Sequence, residues 1–236
     1  MKERINKFIS NYTGLSRREI DKLIGEHRIS INGRLAKLGQ MVDEEDLLEI
    51  DGEKVSYKKE SYTYIVLNKP KGIITTRRDD KGRETVMDLL PKKYAHLRPA
   101  GRLDCNTEGL LIMTDDGDFI NYLTHPKNKV SKVYHALIFG KVNQGEIDRL
   151  KKGLYINNEL LKVDRIVEKH YYESKDKSDI EVYITHGKNH EIKNVLKAVG
   201  HPVITLKRIS IGNIKIYGMV PGEFRIFDRE LFKNEF

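Results

Sequence analysis

GRLDCNTEGLLIMTDDGD, residues 101–118, sets one carboxylate, Asp104, between Gly101-Arg102-Leu103 and a threonine-glycine pair, Thr107 and Gly109. The apolar run that follows, Leu110 to Thr114, reads as a short buried strand. An aspartate beside glycine is ordinary turn chemistry, because its side chain accepts hydrogen bonds from nearby backbone N–H groups. The other reading is a carboxylate held out of the turn to do chemistry. The DDGD at 115–118 is no EF-hand loop, since Gly117 at the sixth place puts Ile112 at the first ligand position. It reads as a cap for a helix from Phe119 to Leu123.

Outward from this stretch, strands and short helices follow without strict alternation. Tyr62–Leu67 is strand-like, NKPKG (68–72) breaks it, and Ile73–Thr76 resumes in strand-like residues. Thr85–Leu90 reads as a short helix ended by Pro91. Val133–Val142 and Ile180–Thr185 are strands, Glu146–Lys152 is a helix stopped by Gly153, and Val203–Ile211 is a last strand. Ile192, Val195, Leu196 and Val199 have helical spacing, with Gly200 behind them. This pattern predicts an α+β domain with a mixed, largely antiparallel sheet.

The N-terminal third has its own pattern. Ile5, Phe8 and Ile9 mark one short helix, ended by Gly14. Ser16 and Glu19 form a capping box for a second, with Ile20, Leu23 and Ile24 on its apolar face. Arg28–Ile31 alternates into Asn32-Gly33, a strong hairpin turn, and strand-like segments continue to Ile50. Lys7, Arg17, Arg18, Lys22 and Arg28 lie near the helix junction, where the second helix's N-terminus also favours a phosphate. GEKVSYKKE (52–60) shows no periodicity and reads as a linker. The expected domains are residues 1–58 and 62–236.

The 236 residues carry a formal charge of +8, with 33% charged and 39% hydrophobic side chains. A basic chain with enough apolar residues for a core points to a polyanionic partner, foremost nucleic acid. The single cysteine, Cys105, excludes an internal disulfide and a cysteine-rich zinc site. There is no apolar leader and no run of about 20 apolar residues, so a cytoplasmic location and no membrane contact are expected. Neither GxxxxGK[ST] nor GxGxxG occurs, which argues against nucleotide and dinucleotide loops. His186 and His190 stand four apart without HExxH or an evident third ligand, so no metal is expected.

Two resemblances follow from these blocks. RINKFIS, LSRREIDKLI and RISINGRLAKLGQMV, roughly residues 4 to 55, resemble the S-four RNA-binding domain, which implies binding to structured RNA. LNKPKGIITT, GRLDCNTEGLLIMTDDGD, HPKNKVSKVYHALIFGKV, THGKNHEIKNVLKAVGHPVITLKRISIG and GEFRIF resemble the pseudouridine synthases of the RsuA/RluB/RluE/RluF family. With both, the likeness covers nearly the whole chain.

The second resemblance implies isomerisation of one uridine in ribosomal RNA, in a stem-loop or a pre-ribosomal particle, by a monomer without cofactor. It makes Asp104 the essential carboxylate, as nucleophile or base. It makes Tyr134 the aromatic that packs on the base and Lys193 the cation paired with Asp104. Arg102 is implied to contact RNA or order the loop, and Gly101, Thr107 and Gly109 to shape it. The family usually has arginine at the Lys193 position and often at that of Asn194; lysine keeps the charge and loses the bidentate fork. Within the family the large-subunit, RluB-like branch is nearer than the small-subunit, RsuA-like one. Two rivals from other classes are a non-enzymatic ribosome-associated RNA binder and a nucleoside hydrolase, the latter normally needing a second working carboxylate.

Overall fold

The computed structural model describes residues 2–57, 61–188 and 190–228. The chain clusters into two units, Met1–Tyr62 with Asp115–Gly117, and Thr63–Thr114 with Asp118–Phe236. Among the described residues no helix is long and apolar enough to cross a membrane.

The first unit follows its local signals closely. It runs β1 (Glu3–Arg4), α1 (Ile5–Tyr12), α2 (Arg17–Gly25), β2 (Ile29–Ile31), β3 (Arg34–Leu35), β4 (Met41–Val42), β5 (Leu48–Ile50) and β6 (Glu53–Lys54). The predicted capping box starts α2: Ser16 Oγ accepts from the Glu19 N–H at 3.2 Å, and Glu19 Oε2 accepts from the Ser16 N–H at 2.7 Å. Asn32 (φ 51°) and Gly33 (φ 76°) make the turn between β2 and β3. Both residues have positive φ, the geometry that matches strand twist in a tight hairpin. Ile5, Ile9, Ile20 and Leu48 are fully buried in the core between the helices and a sheet of order β3-β2-β5-β6.

The linker reading of 52–60 is corrected for its described part. β6 pairs with β5, the Val55 N–H donates to Leu48 O, and the Tyr57 hydroxyl donates to Asp46 O. A polar edge strand carries no apolar alternation, so its pairing left no trace in the sequence. Residues 58–60 lie outside the described residues.

The second unit is built on one mixed sheet. Its elements are β7 (Tyr64–Lys69), β8 (Arg98–Pro99), β9 (Glu108–Thr114), α3 (Gly117–Thr124), β10 (Lys132–Phe139), α4 (Gln144–Lys152), β11 (Leu154–Ile156), β12 (Glu159–Leu161), β13 (Arg165–Tyr172), β14 (Lys177–Ile184), α5 (Glu191–Ala198), β15 (Val203–Ile211), β16 (Ile214–Lys215) and β17 (Phe224–Ile226). The main order is β13-β14-β10-β15-β9-β7-β17, and only the β9–β15 join is parallel. β11 and β12 pair separately as a ribbon.

The burial pattern explains the two kinds of strand in the sequence. β14 alternates buried and half-buried residues, so one face packs and the other is part-solvated. β7 is buried at all six positions, and β9 at all but its first. Ile65, Leu67, Leu111 and Met113 face a core shared with Leu150 of α4 and Val195 and Leu196 of α5. Tyr64, Val66, Leu110 and Ile112 face the opposite core with Phe119 and Leu123 of α3. Cover on both faces turns a strand into a continuous apolar run.

Two expected elements are absent. Ile73–Thr76 forms no strand: only Ile74 makes a bridge, to Thr85. Thr85–Leu90 is a run of turns, not a helix, because the Thr85 N–H and hydroxyl both donate to Asp88 Oδ2 and Val86 N–H donates to Ile74 O. Those local and cross-chain partners compete with a single helical turn, which is costly to nucleate in six residues. The other expected elements differ from the structure by a few residues at their ends, β7 running on through Asn68 to Lys69, while β8, β11, β12, β13, β16 and β17 were not foreseen.

Candidate active site

Asp104 lies in the turn between β8 and β9, closed by the Thr107 N–H donating to Asp104 O at 3.0 Å. Gly101 (φ 82°) starts the bend. Leu103 is buried and anchors the turn, its backbone clamped to Thr75: Thr75 Oγ1 donates to Leu103 O at 2.8 Å, and the Leu103 N–H reaches Thr75 Oγ1 at 3.3 Å. The Gly72 N–H donates to Cys105 O at 2.9 Å. The NKPKGIIT segment, read above as strand and break, is thus the frame that holds the aspartate loop.

Lys69 completes that frame from inside. Its side chain is fully buried, and Nζ donates to Ile73 O (2.7 Å), Pro70 O (2.9 Å) and Cys105 O (3.3 Å). Burial pushes the ammonium down to about 8, with the neighbouring Cys105 and Asp104 side chains pulling the other way. A lysine among strand residues gives no sequence sign that it is inside, so this residue was missed. Because its folded pKa lies below the ordinary 10.5, the unfolded chain holds more protons between those values, and stability contributed at Lys69 rises with pH from about 8 upward. Lys69→Met is therefore expected to cost about 2–4 kcal/mol through the orphaned carbonyls. The wild-type advantage in urea unfolding should widen between pH 8 and 10; a gap that stays level would contradict the depressed lysine.

Asp104 faces a cleft of about 140 Å³ whose walls include Lys132, Tyr134, His190, Lys193 and Arg208. Lys193 Nζ donates to Asp104 Oδ2 at 3.2 Å, from the first turn of α5. His190 Nδ1 lies 2.8 Å from the same oxygen. Oδ1 has no hydrogen-bond partner among the described residues. Both the carboxylate and the Lys193 ammonium are 28% exposed, so the pair is half-desolvated and interacts more strongly than one in open water.

Tyr134 is buried on β10, opposite Arg208 of β15. Arg208 Nη1 donates to the Tyr134 hydroxyl at 3.3 Å and its Nε donates to Leu110 O at 2.7 Å. Lys132, two residues before Tyr134, is held down to about 8 by burial and then by the Arg208 charge. Sequence reasoning found Tyr134 but neither cation; the Lys-x-Tyr spacing on an alternating strand was the available signal for Lys132.

The loop residues take different parts. Arg102 is exposed at the cleft rim. Thr107 is buried, with no partner for its hydroxyl among the described residues. Gly109 is not in the loop at all but in β9, where a Cβ would stand 2.2 Å from Arg208 O. His186, the other histidine weighed for a metal, pairs with buried Glu191 at 3.1 Å.

Of the five basic residues expected to meet RNA in the first unit, three are paired within it. Arg28 makes a bidentate contact with Asp51 (2.6 and 2.7 Å), Lys7 meets Glu3 at 2.8 Å, and Lys22 meets Glu26 at 3.6 Å. Arg17 and Arg18 are exposed on the first turn of α2 and make no ion pair among the described residues.

Comparison with known proteins gives one picture. Residues 63–198 match the family model for RNA pseudouridylate synthase, and residues 3–48 match that for the S4 domain. A protein of Aquifex aeolicus (strain VF5) named as an uncharacterized RNA pseudouridine synthase is 42% identical over 99% of this chain and 95% of its own. The protein of Bacillus subtilis (strain 168) named ribosomal large subunit pseudouridine synthase B is 34% identical over 94% of this chain and 91% of its own. A solved structure described as a pseudouridylate synthase superposes over 99% of both chains with a TM-score of 0.67 at 26% identity.

Proposed function

Because the chain belongs to the RNA pseudouridine synthase family and carries an S4 domain ahead of the catalytic unit, we propose that it isomerises one uridine of large-subunit ribosomal RNA, with Asp104 as the reacting carboxylate. The observation that carries the reading is the half-buried Asp104 in a cleft, held at Oδ2 by Lys193 and His190 and with Oδ1 unpartnered among the described residues. Large-subunit RNA is favoured over small-subunit RNA by the name of the Bacillus subtilis relative.

The reaction moves no atom in from outside except protons. The N1–C1′ glycosidic bond breaks, the uracil turns, a C5–C1′ bond forms, C5 gives up its proton and N1 takes one. The nucleotide must first leave its stack, which costs a few kcal/mol. A carboxylate aimed into the cleft can serve as nucleophile or base at the ribose or uracil. Tyr134, fixed by Arg208, offers the cleft its aromatic surface. The test is carbodiimide primer-extension mapping of ribosomal RNA from cells with and without the protein. One large-subunit stop should vanish with the gene; an unchanged map would reject the reading, and a lost small-subunit stop would reject the large-subunit target.

RNA anchoring falls to Arg17 and Arg18. Two cations on the first turn of a helix sit at its positive end, an unfavourable placement that a phosphate relieves. Arg17→Ala with Arg18→Ala should weaken RNA binding and lower the slope of log K against log salt by about two. Lys22→Ala, which removes a charge already paired to Glu26, should change the slope less. Equal slopes in all three proteins would remove the anchoring role.

A further inference from the structure

We infer that His190 is a positioning residue for Asp104, and that His190 and Lys193 together hold Oδ2 as two single-point donors so that Oδ1 is the oxygen left for the substrate. This rests on the reading of Asp104 as the reacting carboxylate. A lysine ammonium is a point charge on a flexible stem and does not fix the rotation of a carboxylate, whereas a forked guanidinium does. Lys193 alone, at 3.2 Å from Oδ2, leaves that rotation open. His190 Nδ1 reaches the same oxygen at 2.8 Å from a residue three places earlier. The ionised carboxylate only accepts, so Nδ1 carries the proton and donates. Two donors converging on one oxygen define the plane that one lysine cannot.

The backbone at His190 supports the assignment independently of the distance. His190 is the residue before α5, with φ 51° and ψ 23°, and its side chain makes no capping bond to the helix. A helix N-cap is ordinarily extended, with a serine, threonine, aspartate or asparagine accepting from the first turn. A non-glycine residue in the left-handed region is strained, and such strain collects where the surrounding structure needs a side chain aimed. Here the left-handed turn forgoes the cap and sends the ring to Asp104, 86 residues away in sequence. The neighbouring acid is not a competitor for the ring: Glu191 is buried, and its Oε2 is engaged by His186 Nδ1 and the Lys188 N–H.

Two variants separate the donor from the backbone. Glycine adopts φ 51° without strain and has no donor. Asparagine tolerates the same backbone, and its amide nitrogen can stand near the place of Nδ1. The assay is tritium release from uridine labelled at C5, in ribosomal RNA and precursor particles taken from labelled cells that lack the protein. His190→Gly should lose about 30-fold or more in kcat with KM within about threefold, as expected of a misaimed reactive group. His190→Asn should recover most of that loss. A His190→Gly enzyme with wild-type kcat overturns the inference. So does equal loss in both variants, which would mean the imidazole itself is required, and so does a rise in KM at constant kcat, which would mean an RNA contact. Asp104→Asn in the same assay keeps the two levels apart: full activity there overturns the reading of Asp104, while an inactive Asp104→Asn beside a normal His190→Gly overturns only the inference.

Discussion

Asp104→Asn is expected to abolish pseudouridine formation, by about 10,000-fold or more, while RNA binding stays intact. Losses of that size follow removal of a nucleophile or base that no neighbour replaces. Asparagine keeps the shape of the side chain and the turn closed by the Thr107 N–H on Asp104 O, so the loop remains. It cannot act as a nucleophile or a base at neutral pH. Removing the negative charge also leaves the Lys193 ammonium without its carboxylate and frees the donor of His190, both within reach of the cleft. RNA affinity should therefore be equal to wild type or tighter, most visibly at low salt, where unscreened cations attract phosphates best. Filter binding paired with the tritium-release assay checks both halves. Normal turnover by this variant would remove Asp104 from the chemistry, and a large loss of affinity would mean that the carboxylate organises the RNA surface instead.

The second large effect is on the fold. Gly109→Ala is expected to destabilise the catalytic unit by about 4 kcal/mol or more, enough to remove most of the stability of an ordinary domain. Gly109 pairs with Arg208 in the parallel join between β9 and β15. An added Cβ would lie 2.2 Å from Arg208 O, 2.7 Å from Arg208 N and 3.0 Å from Arg208 C. These are backbone atoms in the middle of a sheet and cannot swing aside. The φ of 111° adds a penalty that any side chain meets. The damage also reaches the cleft, because Arg208 carries the hydrogen bond to the Tyr134 hydroxyl. Urea unfolding followed by tyrosine fluorescence measures the cost. A wild-type midpoint in Gly109→Ala would mean that the two strands are not in this close approach.

Much of the fold was legible because the signals are local. The Ser16–Glu19 capping box, the Asn32-Gly33 turn and the β15 strand from Val203 to Ile211 all depend on residues a few places apart. The misreadings have a common cause. Ile73–Thr76 has strand-like residues but is drawn into bonds with Glu84, Val86 and the aspartate loop. Thr85–Leu90 has helical composition, yet the Thr85–Asp88 contact forms a turn first. Glu53–Lys54 is polar and pairs as an edge through backbone bonds that no side-chain pattern announces.

The candidate site divides in the same way. The sequence by itself singled out Asp104, Tyr134 and Lys193, because each sits in a recognisable block, and the structure brings all three to one cleft. Three things were decided only by tertiary structure. Lys69 is inside the protein because three carbonyls surround it, not because of its type. Gly109 serves a strand crossing and not the loop it adjoins, because the backbone of Arg208, 98 places past Leu110, lies against it. His190 reaches Asp104 because α5 begins where the sheet order places it beside the β8–β9 turn. The physical reason is range. Periodicity, capping and turn chemistry act over a few residues and are written in the order of the chain, whereas burial and pairing are settled by which strands become neighbours, and that is a property of the packed whole.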